Sequence, residues 1–89
     1  MTSERAVRNG RGIARYKPAK GTKRYYVFEA MKHSGTPEEI HLRAVELAHS
    51  DGLQFTVEDF RAVNVNFLAQ FLRRKGYAVT HRMNTVRIS

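Results

Sequence analysis

Arg73, Arg74 and Lys75 stand in consecutive positions, Arg82 and Arg87 follow, and no carboxylate occurs after Asp59. Guanidinium and ammonium groups that no neighbouring acid neutralises are suited to holding phosphates and other polyanions. The same sign recurs at the opposite end, where Met1 to Arg24 carries eight Lys/Arg against Glu4 alone. Tyr25 to Asp59 reverses the balance, with seven carboxylates against Lys32 and Arg43, and Phe60 to Ser89 carries six Lys/Arg and no acid. Two cationic blocks flanking an acidic one imply that particular surfaces meet a polyanion, and nucleic acid is the leading candidate. A basic last turn also complements the helix dipole in proteins that touch no nucleic acid; the absence of acids after Asp59 tips Arg73, Arg74 and Lys75 toward contact.

Other chemistries find little support. His41 and His49 are too far apart on one helix to share a metal, and the chain has no cysteine for a disulfide or a thiolate zinc site. Glu58 and Asp59 are explained as helix N-terminal charges, and no nucleophile can be matched with a base and an orienting group. Eighty-nine residues of 42% hydrophobic content make one small domain, too small for a substrate cleft with independently braced walls. The expectation is a non-enzymatic protein with no cofactor and no metal. No apolar run approaches the roughly 20 residues of a membrane span and the N-terminus lacks a secretory apolar stretch. A soluble, cytoplasmic protein is expected, nucleoid-associated if its polyanion is DNA.

These cations need a scaffold. Residues 1–22 are dominated by Gly, Arg, Lys, Asn, Ser and Pro, too polar to offset their ordering entropy, and read as a flexible basic arm carrying Arg5, Arg8, Arg11, Arg15, Lys17 and Lys20. The alternative for the arm is a solvated tail. The folded domain is expected over 23–89, beginning with Tyr25-Tyr26-Val27-Phe28, a run that fits a strand or a first helix equally well. Tyr16, Tyr25 and Tyr26 beside Lys and Arg could stack on bases, but the last two are more simply the start of the core.

Thr36-Pro37-Glu38-Glu39 is a strong helix start, with Thr36 as cap, Pro37 in the first turn and Glu39 at the capping-box position. Ile40, Ala44, Leu47 and Ala48 then share one face, with Val45 alongside, and Gly52 supplies a stop. Leu53-Gln54-Phe55 reads as a short extended piece before a second start at Thr56, with Phe60 and Val63 facing inward. Asn64-Val65-Asn66 suggests a break, although one bent helix from Thr56 to Lys75 fits the same apolar positions. Beyond it Phe67, Leu68, Phe71 and Leu72 are expected to form a buried stripe, opposite Gln70, Arg73 and Arg74. Tyr77 to Ser89 alternates as a hairpin about Met83-Asn84, pairing Val79 with Ile88, His81 with Val86 and Arg82 with Thr85. Met-Asn is not a favoured two-residue turn, so a longer loop over 82–85 competes with it.

Helix, extended piece, helix, turn, basic helix and C-terminal hairpin resembles the winged helix-turn-helix family over residues 36–89, making the expected class α+β with about three helices. The local resemblance lies in Leu53-Gln54-Phe55-Thr56-Val57-Glu58-Asp59-Phe60 and in Phe71-Leu72-Arg73-Arg74-Lys75-Gly76-Tyr77. The segment between Phe60 and Phe67 departs from the pattern, being short and without glycine. The resemblance implies that the helix after Asn64 enters the major groove, presenting Asn64, Asn66, Gln70, Arg73 and Arg74 to base edges or phosphates. It implies that Arg82 and Arg87 act from the wing, while the arm adds affinity by counterion release or reaches an adjacent minor groove. The function implied is duplex DNA binding, by a small transcriptional regulator or an architectural factor. Two alternatives stay open: an RNA- or ribosome-associated protein, and a protein-interaction module whose acidic helix 36–49 regulates another enzyme. A homodimer is open too, with Leu42 and Val45 as its candidate contacts.

Overall fold

The structure, a computed structural model, describes residues 16–89. The first helix, α1 (Lys23–Ala30), begins at Thr22, whose hydroxyl accepts the amide of Tyr25 at 3.2 Å. Tyr25-Tyr26-Val27-Phe28 is therefore helix and not strand. Tyr26, Val27, Phe28, Ala30 and Met31 are all buried, so the segment is apolar over most of its surface and carries no one-sided period for the sequence to reveal.

Both capping boxes form. The Thr36 amide donates to Glu39 Oε1 at 2.8 Å and the Glu39 amide to Thr36 Oγ1 at 3.2 Å, opening α2 (Pro37–Ser50) with proline in its first turn. Thr56 and Asp59 repeat the arrangement at 2.8 and 3.3 Å to open the five-residue α3 (Val57–Arg61). Gly52, at φ 81°, takes the left-handed conformation that ends α2. Leu53-Gln54-Phe55 forms no strand; it is a loop whose Phe55 ring meets Phe60 edge-on at 5.4 Å.

The chain breaks at Ala62–Asn64 and restarts as α4 (Val65–Arg74), so residues 56–75 are two helices. Asn64 takes an extended backbone and its Oδ1 accepts the Phe67 amide at 2.9 Å, satisfying one of the orphan donors of the new first turn. The buried face of α4 is Val65, Leu68, Ala69 and Leu72. This corrects the expected stripe: Phe71 is only half-buried and Phe67 is 63% exposed. Ala69, small enough to let the helix approach its neighbours, occupies the inward position that the larger ring at 67 was expected to hold.

The hairpin pairs β1 (Val79–Arg82) with β2 (Thr85–Ile88) in the register read from the alternation, Val79 opposite Ile88 and Arg82 opposite Thr85. The loop has two residues after all, and Met83 adopts φ 53° to close it. Val86 and Ile88 are buried. β2 is also fastened to the connection between α1 and α2: Gly35 and Val86 exchange amide–carbonyl bonds at 3.3 and 2.9 Å, and the Ile88 amide donates to the Met31 carbonyl at 2.9 Å. Among the described residues four helices and an antiparallel hairpin thus enclose one α+β core, its largest buried side chains being Phe28, Phe60, Met31, Ile40, Leu72, Ile88 and Val27.

The segment 16–22 lies against this core. Pro18 is buried, the Tyr77 hydroxyl donates to the Tyr16 carbonyl at 2.6 Å, and the Tyr16 ring meets Phe71 edge-on at 5.1 Å. Lys17 and Lys20 are exposed on it.

Candidate nucleic-acid interface

At 3.6 residues per turn, burying Val65, Leu68, Ala69 and Leu72 leaves Phe67, Gln70 and Arg74 along the ridge pointing directly away from the core. Asn66 and Arg73 lie on one flank of that ridge, Asn64 and Phe71 on the other. The flanks meet different neighbours. Asn66 borders a ≈ 390 Å³ hollow shared with Thr36, Pro37, His81, Met83 and Asn84, which places the α4 N-terminus beside the hairpin tip. On the other side Asn64, Phe67 and Phe71 line a ≈ 410 Å³ cleft with Arg24 and Val63.

Cations gather around Phe71. The Arg24 guanidinium lies 5.8 Å and the Lys75 ammonium 5.4 Å from its ring centroid, both within cation–π range. Lys75 caps the C-terminal end of α4, where Arg73 and Arg74 complement the helix dipole, and all three are exposed. Arg82 and Arg87 are exposed on the hairpin face opposite Val86 and Ile88. Among the described residues none of Arg73, Arg74, Lys75, Arg82 and Arg87 makes an ion pair. Arg5, Arg8, Arg11 and Arg15 lie outside the described residues.

Two residues have local duties that bear on the site. Asn64 gives its carbonyl oxygen to the α4 cap, which occupies the acceptor half of a bidentate adenine contact. Arg61 belongs to the acidic side, bonded to Glu58 and, at 2.9 Å, to Glu38 of α2. That bond holds the Glu38 carboxyl below its ordinary range and the Arg61 guanidinium above its own. The cationic surface after Asp59 therefore starts at α4.

Glu38, Glu39, Asp51, Glu58 and Asp59 sit elsewhere, on α2, α3 and the turn between them, and are engaged. Glu39 and Asp59 are held below their ordinary values by the capped amides of Thr36 and Thr56, and by the two hydroxyls. Asp51 accepts the Tyr26 hydroxyl at 2.7 Å, and that bond, with burial, pushes the phenol up to about 12. Comparison of the chain with protein-family models, with curated proteins and with solved structures returned no match.

The histidines have structural partners. His41 is buried with Nε2 donating to the Val63 carbonyl at 2.8 Å, tying α2 to the break before α4, and His49 Nε2 lies 2.9 Å from the Phe55 carbonyl. Among the described residues there is no group of three or more His, Cys, Asp or Glu placed to hold a metal ion, and no helix long and apolar enough to cross a membrane.

Sequence reasoning assigned Phe67 to the core and so left it out of the site; a period drawn through Val65 and Ala69 would have put it outside. Arg24 was counted only as a charge. Its placement beside Phe67 and Phe71 depends on how α1 packs, which no local pattern encodes.

Proposed function

We propose that this chain is a small duplex-DNA-binding protein of winged-helix type, serving as a transcriptional regulator or an architectural factor. α4 is the reading helix, and the β1–β2 hairpin is the wing that flanks it. The observation that carries this reading is the outward side of α4: Gln70, Arg73 and Arg74 are exposed with no acid among them, next to a hairpin bearing Arg82 and Arg87. Gln70 offers a donor and an acceptor to an adenine edge, and the arginines offer forked donors to guanine or phosphate. Arg24 extends the same sign along the Phe71 flank, and Lys17 and Lys20 are exposed on the segment whose Tyr16 ring meets Phe71.

The test is binding of the full-length protein to duplex DNA, an RNA hairpin and single-stranded DNA across a salt series. Duplex should bind tightest, with log Kd against log salt rising at a slope of about 4 or more, the signature of several neutralised phosphates. Equal or better binding to the RNA hairpin would move the reading to RNA. A flat salt response would point to a protein partner.

A further inference from the structure

A single exposed ring is ordinary on a protein surface. Phe67 is distinguished by its company. It shares the outward ridge of α4 with Gln70 and Arg74, Arg24 borders the cleft beside it, and its amide is pinned by the Asn64 cap, so the turn that carries it is fixed. An apolar ring set among amide and guanidinium groups is not itself a hydrogen-bonding group. What it can recognise is an apolar feature within an otherwise polar, anionic ligand.

The major groove of DNA offers such a feature, the C5-methyl group of thymine. We propose that Phe67 is a thymine-reading residue whose ring packs on that methyl while Gln70 takes the edge of an adenine at a neighbouring base pair. The proposal rests on the duplex-DNA reading of α4 and adds to it a base preference. Residues three apart on a helix are offset by about 4.5 Å along its axis, against a base rise of about 3.4 Å. That spacing lets the two side chains reach neighbouring base pairs from a helix inclined in the groove. The surrounding charge selects a nucleic acid over a second copy of this chain, because a two-fold contact through Phe67 would gather the Arg24 and Arg74 guanidiniums of both copies around the paired rings with no acid among them.

The experiment starts with enrichment of preferred duplexes from a random pool by the full-length protein. Each thymine of the enriched site is then replaced singly by uracil, which removes the methyl and leaves the hydrogen-bonding edge intact. Wild type should lose roughly three- to fivefold in affinity at one thymine, the effect of returning about one methyl group to water. Phe67→Ala should bind the thymine and uracil duplexes equally, and Phe67→Leu should keep part of the difference. Both variants should retain the wild-type melting temperature, since the ring is exposed.

An enriched duplex that tolerates uracil at every position, or a Phe67→Ala protein that keeps the wild-type uracil penalty, would overturn the proposal and leave the DNA reading standing. A wild-type dimer that Phe67→Ala converts to monomer in sedimentation, with no change in the uracil response, would overturn it in favour of self-association. Duplex binding that enriches no sequence would overturn this proposal and leave an architectural DNA reading standing, whereas failure to bind any duplex would overturn both.

Discussion

α2 and α4 are both amphipathic helices with an inward face of small and branched residues, yet their polar sides are organised in opposite ways. Around α2, Glu38, Glu39 and Arg43 are each engaged by a charged partner or by the backbone. Glu39 closes a capping box, Glu38 meets Arg61, and the Arg43 guanidinium donates to the carbonyls of Ala30 and His33 at 2.8 and 3.0 Å, capping the end of α1. Around α4 the cap is one asparagine, the first turn has no acid, and Arg73 and Arg74 have no carboxylate partner among the described residues. Charges that are already paired contribute to the fold; charges left unpaired on one face are available to a ligand. The same residue type, arginine, is thus engaged in one place and exposed in the other, a difference that only the tertiary structure reveals.

The comparison can be broken first within α4 itself. Leu72→Ala should cost about 2–5 kcal/mol of stability, because the side chain is wholly buried and leaves a cavity. Phe67→Ala on the opposite side should stay within about 0.5 kcal/mol. Chemical denaturation of the two variants measures both, and equal losses would mean that Phe67 is core after all.

Next come the arginines. Replacing Arg73 and Arg74 together by Ala should weaken duplex binding roughly tenfold to a hundredfold and flatten the salt slope by about 2, with a loss of about 1 kcal/mol of stability from the helix-dipole contribution. Arg43→Ala should do the reverse: about 1–3 kcal/mol of stability lost as the Ala30 and His33 carbonyls lose a charged donor, with the salt slope unchanged. A loss of binding slope in Arg43→Ala would erase the distinction between the two sides.

Smaller effects sharpen the acidic side. Thr36→Ala should cost about 1 kcal/mol through loss of the α2 cap, read by thermal melting. Melting temperatures against pH should fall at both extremes. Glu38, Glu39 and Asp59 titrate lower folded than unfolded, so their contribution is present above the unfolded value, about 4, and is lost as pH falls through the lower folded values. Tyr26 titrates higher folded than unfolded, so its contribution is complete below about 10 and is lost as the pH rises toward about 12. Tyr26→Phe should remove the alkaline effect and leave the acid limb in place.

The parts of the fold that the sequence displayed are those whose cause is local. A Thr-Pro-Glu-Glu run carries its own cap, proline and box partner, so α2 begins where it was expected to. Strict alternation across Tyr77–Ser89 leaves one register that buries both Val86 and Ile88, and that register is the one formed. Where the cause is tertiary, local reading failed or stayed ambiguous. The α1 run is buried on most sides and so shows no period. The inward choice between Ala69 and Phe67 depends on how closely α4 can approach its neighbours. Of the candidate site, the cations were visible as a charge block, but Arg61 left that block for Glu38, a contact between residues distant in sequence.

The bond between Gly35 and Val86 joins chain segments on either side of α2, α3 and α4. Contacts between residues so distant in sequence are slow to form, since the chain must close a long loop before the pairing repays it. The helices can therefore assemble early around Phe28, Phe60 and Ile40, while β2 locks into place as a late event of folding. A chain cut short before Thr85 would lack Val86 and Ile88, two buried side chains of the core, and such a fragment would be a target for proteolysis.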